Sequence, residues 1–570
     1  MGNTDQQTKG WGKRSEALAA WLHHPSLWVG LLLLGLAARF RQYLGNPSYW
    51  YDEAFTTVDI CDLPLLKLLG PLPGRSIIPP FFLWLLRGCY LSLGPQEWAL
   101  RLPAFIAGIA ALLLMVVLAR RWLDAPGWPW MAAFCALSTH AVNHSVEVRP
   151  YAVDFLLTAA ILLATHAYLR SGDLRSRHWG GSGLLLASAL APWLSFTSVF
   201  VLTAASTAVL LHYLHHKGSG RLLFWLGLNG LFAGTSFLVW FLQARHLYYP
   251  RLKHMWTNTW PGFPRDHSLG TLFPWTLSSL VEVAHYATTG LGIPLLLLGV
   301  VGLVRCWRRS REEAILLAGP ALIAYLASLL GKYPFADRTI FFLAPCVWLL
   351  AVEGLLDLAQ RLPAAASFTV PLLVLGLLAP GLVETVKRCA RVEPRMEYRE
   401  ALIFVQEHRS REDAVWNWCS DLATVYFDHV FGWQPKPTLN GSQYTPRAAQ
   451  EALAHPLWVI APDSAIENMV RPLRLLPVQQ TLCRQFLGVK VLRFASVPIP
   501  ALAAGAADAR QTREAKAALM RLAHGSNTAW GRLFCSMQAR GGCIISMYST
   551  PRVPENHARY IRRRVDACPH

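Results

Sequence analysis

Charge is scarce in this sequence: Asp, Glu, Lys and Arg make up 15% of 570 residues, while 53% are hydrophobic. The apolar residues come in long blocks, and blocks of about 20 match a hydrocarbon core of about 30 Å that helices cross with their backbone groups satisfied internally. The expected class is a polytopic helical membrane protein. Other absences narrow the field. There is no Walker loop and no GxGxxG strand-to-helix unit, which argues against a nucleotide-driven reaction. No apolar h-region precedes the first span, and Lys9, Lys13 and Arg14 mark residues 1–25 as a cytoplasmic N-terminus without a cleavable signal peptide. The 11 cysteines are scattered, several inside apolar blocks (Cys89, Cys135, Cys346), so neither a disulfide framework nor a zinc spacing emerges. A Cys419–Cys483 disulfide is left open if that region lies in an oxidising compartment.

Acids are the minority charge, 34 against 53 Lys and Arg, for a net +19. Much of the excess sits in short loops between apolar blocks and in the last 70 residues, so membrane topology explains the loop charges better than nucleic-acid binding does. Arg120-Arg121, Arg170 with Arg175 and Arg177, and the Arg305/Arg308/Arg309/Arg311 cluster read as cytoplasmic. About 11 crossings then fit residues 26–390, with one large extracytoplasmic loop over 45–100. Its 77–93 stretch stays outside because it opens on Pro79-Pro80 and carries Arg87. Residues 391–497 read as an extracytoplasmic α/β domain with strands near Ala414–Trp418, Trp458–Ala461 and Gly488–Phe494. The 498–570 tail reads as basic and disordered.

Ionisable groups near a bilayer are costly and point to function. Asp52 and Glu53 stand just beyond the first apolar block, and in an extended segment only one of them would face a given site. Arg101, Glu147/Arg149 and Lys332/Arg338 are expected on the same outer side. Acids and bases together suit a general base for an incoming hydroxyl and cations for an anionic leaving group such as a lipid phosphate. Glu147/Arg149 and Asp337/Arg338 read equally as interfacial ion pairs. Histidines 140, 144, 254, 267 and 285 leave a divalent metal open as a cofactor without a ligand spacing that demands one.

Tyr51-Asp52-Glu53-Ala54, Pro79-Pro80-Phe81-Phe82, Gly94-Pro95-Gln96-Glu97-Trp98-Ala99-Leu100-Arg101-Leu102-Pro103 and Glu147-Val148-Arg149-Pro150-Tyr151-Ala152 occur in that order. Together they resemble the GT-C membrane glycosyltransferases, within them the bacterial glycosyltransferase 39 set of protein O-mannosyltransferase-like, aminoarabinose-transferase-like and lipopolysaccharide galacturonosyltransferase-like proteins. The resemblance implies an inverting glycosyltransferase (class EC 2.4) in the inner membrane. Such an enzyme moves a sugar from a polyprenyl-phosphate carrier to a glycan, lipid or protein acceptor on the periplasmic side. By motif, Asp52 would be the general base, Glu53 its support and Glu147 a second acid. Arg338 would hold the carrier phosphate, with Arg101, Arg149 and Lys332 binding or neutralising charge. No Lys stands beside Pro79-Pro80, which disfavours aminoarabinose. A transporter or flippase of lipid-linked saccharides, and a glycan polymerase or ligase, are the alternatives. A transporter would place ionisable groups in mid-membrane positions of several spans, whereas here they cluster at one face.

Overall fold

The computed structural model describes residues 25–496 except 74–76, 124–126, 171–173, 217–218, 247–249, 364–368, 434–437, 442–450, 453 and 477. The N-terminal segment before residue 25 and the basic tail expected over 498–570 lie outside the described residues. Two compact units form: one holds residues 25–46 and 55–393, the other 47–54 and 394–496.

The first unit is helical. Among the described residues, eight helices of 19 to 26 residues are long and apolar enough to cross a membrane: Ser26–Leu44, Glu97–Trp122, Tyr151–Arg170, Ser198–His216, Gly220–Leu242, Arg311–Leu329, Asp337–Arg361 and Thr369–Ala390. A ninth candidate is the pair Leu269–Ala287 and Gly292–Arg309, bent by 97°. This is a multi-pass membrane protein; of the 11 crossings expected, some fall on helices that do not reach that length or apolarity. The 127–144 stretch falls short of that length because it breaks into Gly127–Leu137 and Thr139–His144, where the Ser138 hydroxyl caps the second helix by accepting the Ala141 N–H. The Leu174–Leu194 helix is long enough, but its first turns are polar, with Arg175, Arg177 and His178. The Leu269–Ala287 helix adds a candidate within the aromatic 244–286 stretch.

The helix break near residue 137 leaves carbonyls without intrahelical partners. Arg39, 1% exposed on the first span, supplies them: it donates to the carbonyls of Cys135 (3.1 Å) and Ala136 (3.3 Å) and to Gly35 O (2.9 Å). Arg87 does the same at the end of the Tyr51–Asp62 helix, donating to Ile60 O and to Cys61 O (2.9 Å). Its helix, Pro80–Leu93, has 14 residues and is too short to span.

Charges inside this unit are paired. Glu313 and Glu353, each with a side chain 1% exposed, bind Arg170 (2.7 Å), Arg309 (3.1 and 2.7 Å) and Arg305 (3.0 Å), tying together the ends of the Tyr151–Arg170, Gly292–Arg309, Arg311–Leu329 and Ala344–Arg361 helices. Small residues let two of these helices meet backbone to backbone. A Cβ on Gly302 would collide with Leu350 O, and one on Gly354 with Leu298 O.

The second unit carries a mixed sheet in the order β2-β1-β3-β5-β4. β1 (Ala414–Asn417) pairs in parallel with β2 (Leu439–Asn440) and β3 (Leu457–Pro462); β3 and β4 (Val478–Phe486) flank β5 (Val489–Ser496) antiparallel. β3 is buried along its whole length, as a continuous apolar run requires. β4 was absent from the sequence reading because it is a polar edge strand, with Gln479, Gln480 and Thr481 exposed. Its turn into β5 uses Gly488 at φ 68°. Cys419 and Cys483 are both free thiols, so no disulfide joins them.

Replacing Gly302 or Gly354 by Leu forces these helices apart. The expected cost is about 1–3 kcal/mol or more, read as a lower unfolding temperature of the detergent-purified protein. Gly230→Leu, where nothing lies within 4 Å of the built Cβ, is the control.

Candidate functional site

The Asp52-Glu53 pair is helical, which corrects the extended reading. Both stand in the first turn of the Tyr51–Asp62 helix, about 100° apart around its axis instead of on opposite faces of a strand. The turn nevertheless separates them. Glu53 is 1% exposed, and its carboxylate accepts the Trp50 N–H at 3.3 Å, the side-chain half of a capping box. Asp52 is half-buried. An acid at a helix N-terminus also meets the positive end of the helix dipole.

Residues 47–54 belong to the second unit, and their contacts there are specific. Ser48 Oγ donates to Met396 O and accepts the Tyr398 N–H (3.1 Å). The Tyr49 N–H donates to Tyr426 Oη at 2.7 Å, the Tyr51 ring packs on Trp418 at 4.9 Å, and the Arg395 guanidinium lies 4.2 Å over Trp50. Asp52 acts electrostatically on Cys419, whose thiol is pushed up to about 12, mainly by burial. The segment before the helix is thus held at several points, so the carboxylates begin from a fixed backbone.

The other five residues singled out from the sequence lie in the helical unit. Glu147 (4% exposed) receives His144 Nδ1 at 3.1 Å, and His144 Nε2 lies 3.0 Å from Tyr286 Oη. With Nδ1 protonated toward the carboxylate, Nε2 accepts the tyrosine O–H, giving a buried Glu147–His144–Tyr286 relay. Arg149 is also buried, and its N–H donates to Glu147 O at 2.7 Å in a tight turn ahead of the Tyr151–Arg170 helix. Arg338 lies 6.0 Å over the Tyr151 ring. The preceding Asp337 has φ 52°, an uncommon conformation for a non-glycine residue, and its N–H donates to Glu282 Oε1 at 2.7 Å. Tyr333 Oη donates to Thr339 O (2.6 Å); burial, and next the Asp154 carboxylate, hold its pKa well above the ordinary tyrosine value.

His144 and Tyr151, with ring centroids 4.8 Å apart, thus connect the Glu147 turn to the Arg338 segment. Arg101 is 3% exposed on the Glu97–Trp122 helix, while Lys332 is solvent-exposed beyond the Arg311–Leu329 helix. His140 and His144 lie together against Tyr286, their ring centroids 6.2 Å apart, while His254 meets Asn258 at 3.0 Å. Among the described residues no group of three His, Cys, Asp or Glu side chains is placed to hold a metal ion.

Residues 78–240 match the family model for dolichyl-phosphate-mannose-protein mannosyltransferases. The match contains the Pro79-Pro80, Arg101 and Glu147-Arg149 motifs and begins after Asp52-Glu53. No curated protein matches by sequence. Among solved structures the chain is similar to ArnT from Cupriavidus metallidurans in the apo state (12% identity, 84% of this chain and 98% of that one, TM-score 0.49). The form bound to undecaprenyl phosphate gives 13%, 82%, 97% and 0.47. The archaeal oligosaccharyltransferase AglB from Archaeoglobus fulgidus, in complex with an inhibitory peptide and a dolichol-phosphate, gives 12%, 83%, 74% and 0.42.

Three participants were not singled out for a role from the sequence: Tyr286, Glu282 and Asp154. The first two sit on the Leu269–Ala287 helix, whose partners lie 142 and 55 positions away in the chain. Asp154 is buried in the first turn of the Tyr151–Arg170 helix, with the Ser195 and Thr197 hydroxyls against it. Tyr286→Phe should strand His144 Nε2 without a partner. The expected penalty is about 1–3 kcal/mol, measured as a drop in unfolding temperature, and His144→Ala in the same background should add less than it does alone.

Proposed function

We propose that this protein is an inverting glycosyltransferase that moves a sugar from a polyprenyl-phosphate carrier to an acceptor hydroxyl on the extracytoplasmic side of the inner membrane. The observation that carries the reading is the family-model match over a stretch containing Arg101, Glu147 and Arg149. Arginine-rich helix ends at Arg120-Arg121, Arg170 and Arg308-Arg309 support a cytoplasmic assignment for that side. The loops at Glu147 and Arg338 then face outward, and the α/β unit that follows is extracytoplasmic.

Asp52 acts as general base: its carboxylate takes the acceptor hydroxyl proton as that oxygen attacks the anomeric carbon. The bond from the anomeric carbon to the carrier phosphate breaks on the opposite face, and the electron pair leaves on the phosphate. Arg338 and Arg149 neutralise the departing polyprenyl phosphate, where a guanidinium offers bidentate donors. Arg101 orients this part of the site, and Lys332 meets the anionic carrier from its exposed position. Glu53 is a positioning residue: by capping its own helix it holds the turn that presents Asp52. Glu147, set by His144, is the second acid.

Purified wild type and variants should be compared for transfer of labelled sugar from membrane-extracted polyprenyl-phosphate donors, with donor binding measured in parallel. Asp52→Asn should lower turnover by roughly 10²–10⁴-fold while retaining donor binding. Glu53→Gln keeps an acceptor for the Trp50 N–H and should stay within about tenfold of wild type, whereas Glu53→Ala loses the cap and should fall further. Arg338→Ala should raise the donor KM more than it lowers kcat. Undiminished transfer by Asp52→Asn would sink the base assignment, and flux of lipid-linked sugar across vesicles without transfer would replace the enzyme by a transporter.

A further inference from the structure

At the other end of the helical unit, the Tyr151–Arg170, Leu174–Leu194, Ser198–His216 and Ser219–Leu242 helices bring together two arginines that no carboxylate among the described residues neutralises. Arg177 donates to His212 Nε2 at 3.1 Å and lies 5.5 Å over the Tyr168 ring. Arg221 donates to the His216 carbonyl at 2.6 Å. Among the described residues neither has an acid within ion-pair distance, while Arg170, Arg305, Arg309 and Arg361 in the same unit all do. Glu312, which acts electrostatically on His212, is engaged by His215 at 2.7 Å. Both guanidinium charges act on the same two side chains, His212 and Tyr168, so they converge on one place.

The partners are of a particular kind. A guanidinium only donates, so His212 must present a bare Nε2 and is neutral. It is buried, and its ring lies against Tyr168. A neutral imidazole, a carbonyl and an aromatic face orient the two arginines while leaving their charge uncancelled. Around them the surface is apolar and outward-facing: Leu174, Trp179, Leu214 and Leu223 are each more than half exposed. Uncancelled cations between helix ends, rimmed by exposed apolar side chains, match the phosphate and acyl chains of an anionic lipid. Tyr168 and Asp154 are 14 positions apart on one helix, about 21 Å by its rise, so this place is separate from the Glu147 and Arg338 cluster.

We infer that Arg177 and Arg221, oriented by His212 and the His216 carbonyl, form a binding site for the phosphate headgroup of an anionic phospholipid. The full chain, purified in a neutral detergent, is titrated with phosphatidylglycerol and with phosphatidylcholine, and bound lipid is counted by native mass spectrometry beside the unfolding temperature. Wild type should prefer phosphatidylglycerol by on the order of tenfold or more. Arg177→Ala/Arg221→Ala should bring the two lipids level without lowering the lipid-free unfolding temperature, and Arg177→Lys/Arg221→Lys should retain part of the preference. If the double alanine variant is unstable, Arg177→Gln and Arg221→Gln singly take its place, each expected to lose part. A folded double variant with undiminished preference overturns the site. Equal occupancy by inorganic phosphate, or tighter arginine-dependent binding of polyprenyl phosphate, would also overturn the phospholipid assignment, as a free-anion or carrier-lipid site respectively.

Discussion

An apolar helical unit has no water to satisfy a polar group left over inside it, and that constraint organises the charges of this protein. Removing one partner from a buried ion pair costs about 3–5 kcal/mol because the other is left charged and unpaired. Glu313 and Glu353 are buried only because three arginines from neighbouring helices reach them. Arg39 is buried because a broken helix offers it carbonyls at the right depth. Each of these side chains fastens elements distant in sequence, so satisfying the charge and setting the helix packing are the same event.

Function draws on the same economy of polar groups. Of two adjacent acids, Glu53 is bound to the backbone of its own first turn and Asp52 is left at the edge of that turn. The segment that leads into them is held through Ser48, Tyr49 and Tyr51 to residues near Met396, Trp418 and Tyr426. In the helical unit His144 couples Glu147 to Tyr286, and a positive-φ Asp337 sets the backbone that carries Arg338. These supports are backbone bonds, buried rings and a capped turn, which hold a side chain's position more tightly than an exposed ion pair does.

Where arginines lack an acid, the reason differs by place. Arg39 and Arg87 spend their donors on carbonyls at helix ends, a structural use that needs no counter-charge nearby. Arg177 and Arg221 stand at a bundle end among exposed apolar side chains, where a membrane supplies both phosphate and hydrocarbon.

The membrane class, most of the candidate spans in outline, the short 77–93 segment and three of the five strands were legible in the sequence, because hydrophobic periodicity and block length are local properties. Asp52, Glu147, Arg149 and Arg338 stand out in the sequence because charge beside long apolar blocks is conspicuous. The broken stretch at 128–142, the bent helix pair, the polar edge strand β4 and the attachment of residues 47–54 to the C-terminal unit depended on contacts between distant positions. Which carboxylate caps its own helix, that His144 answers to Tyr286, and that Arg177 finds no acid among the described residues are likewise matters of three-dimensional partnership. Sequence determines how many charges a membrane protein must accommodate; only the packed helices decide which of them are neutralised by the protein itself.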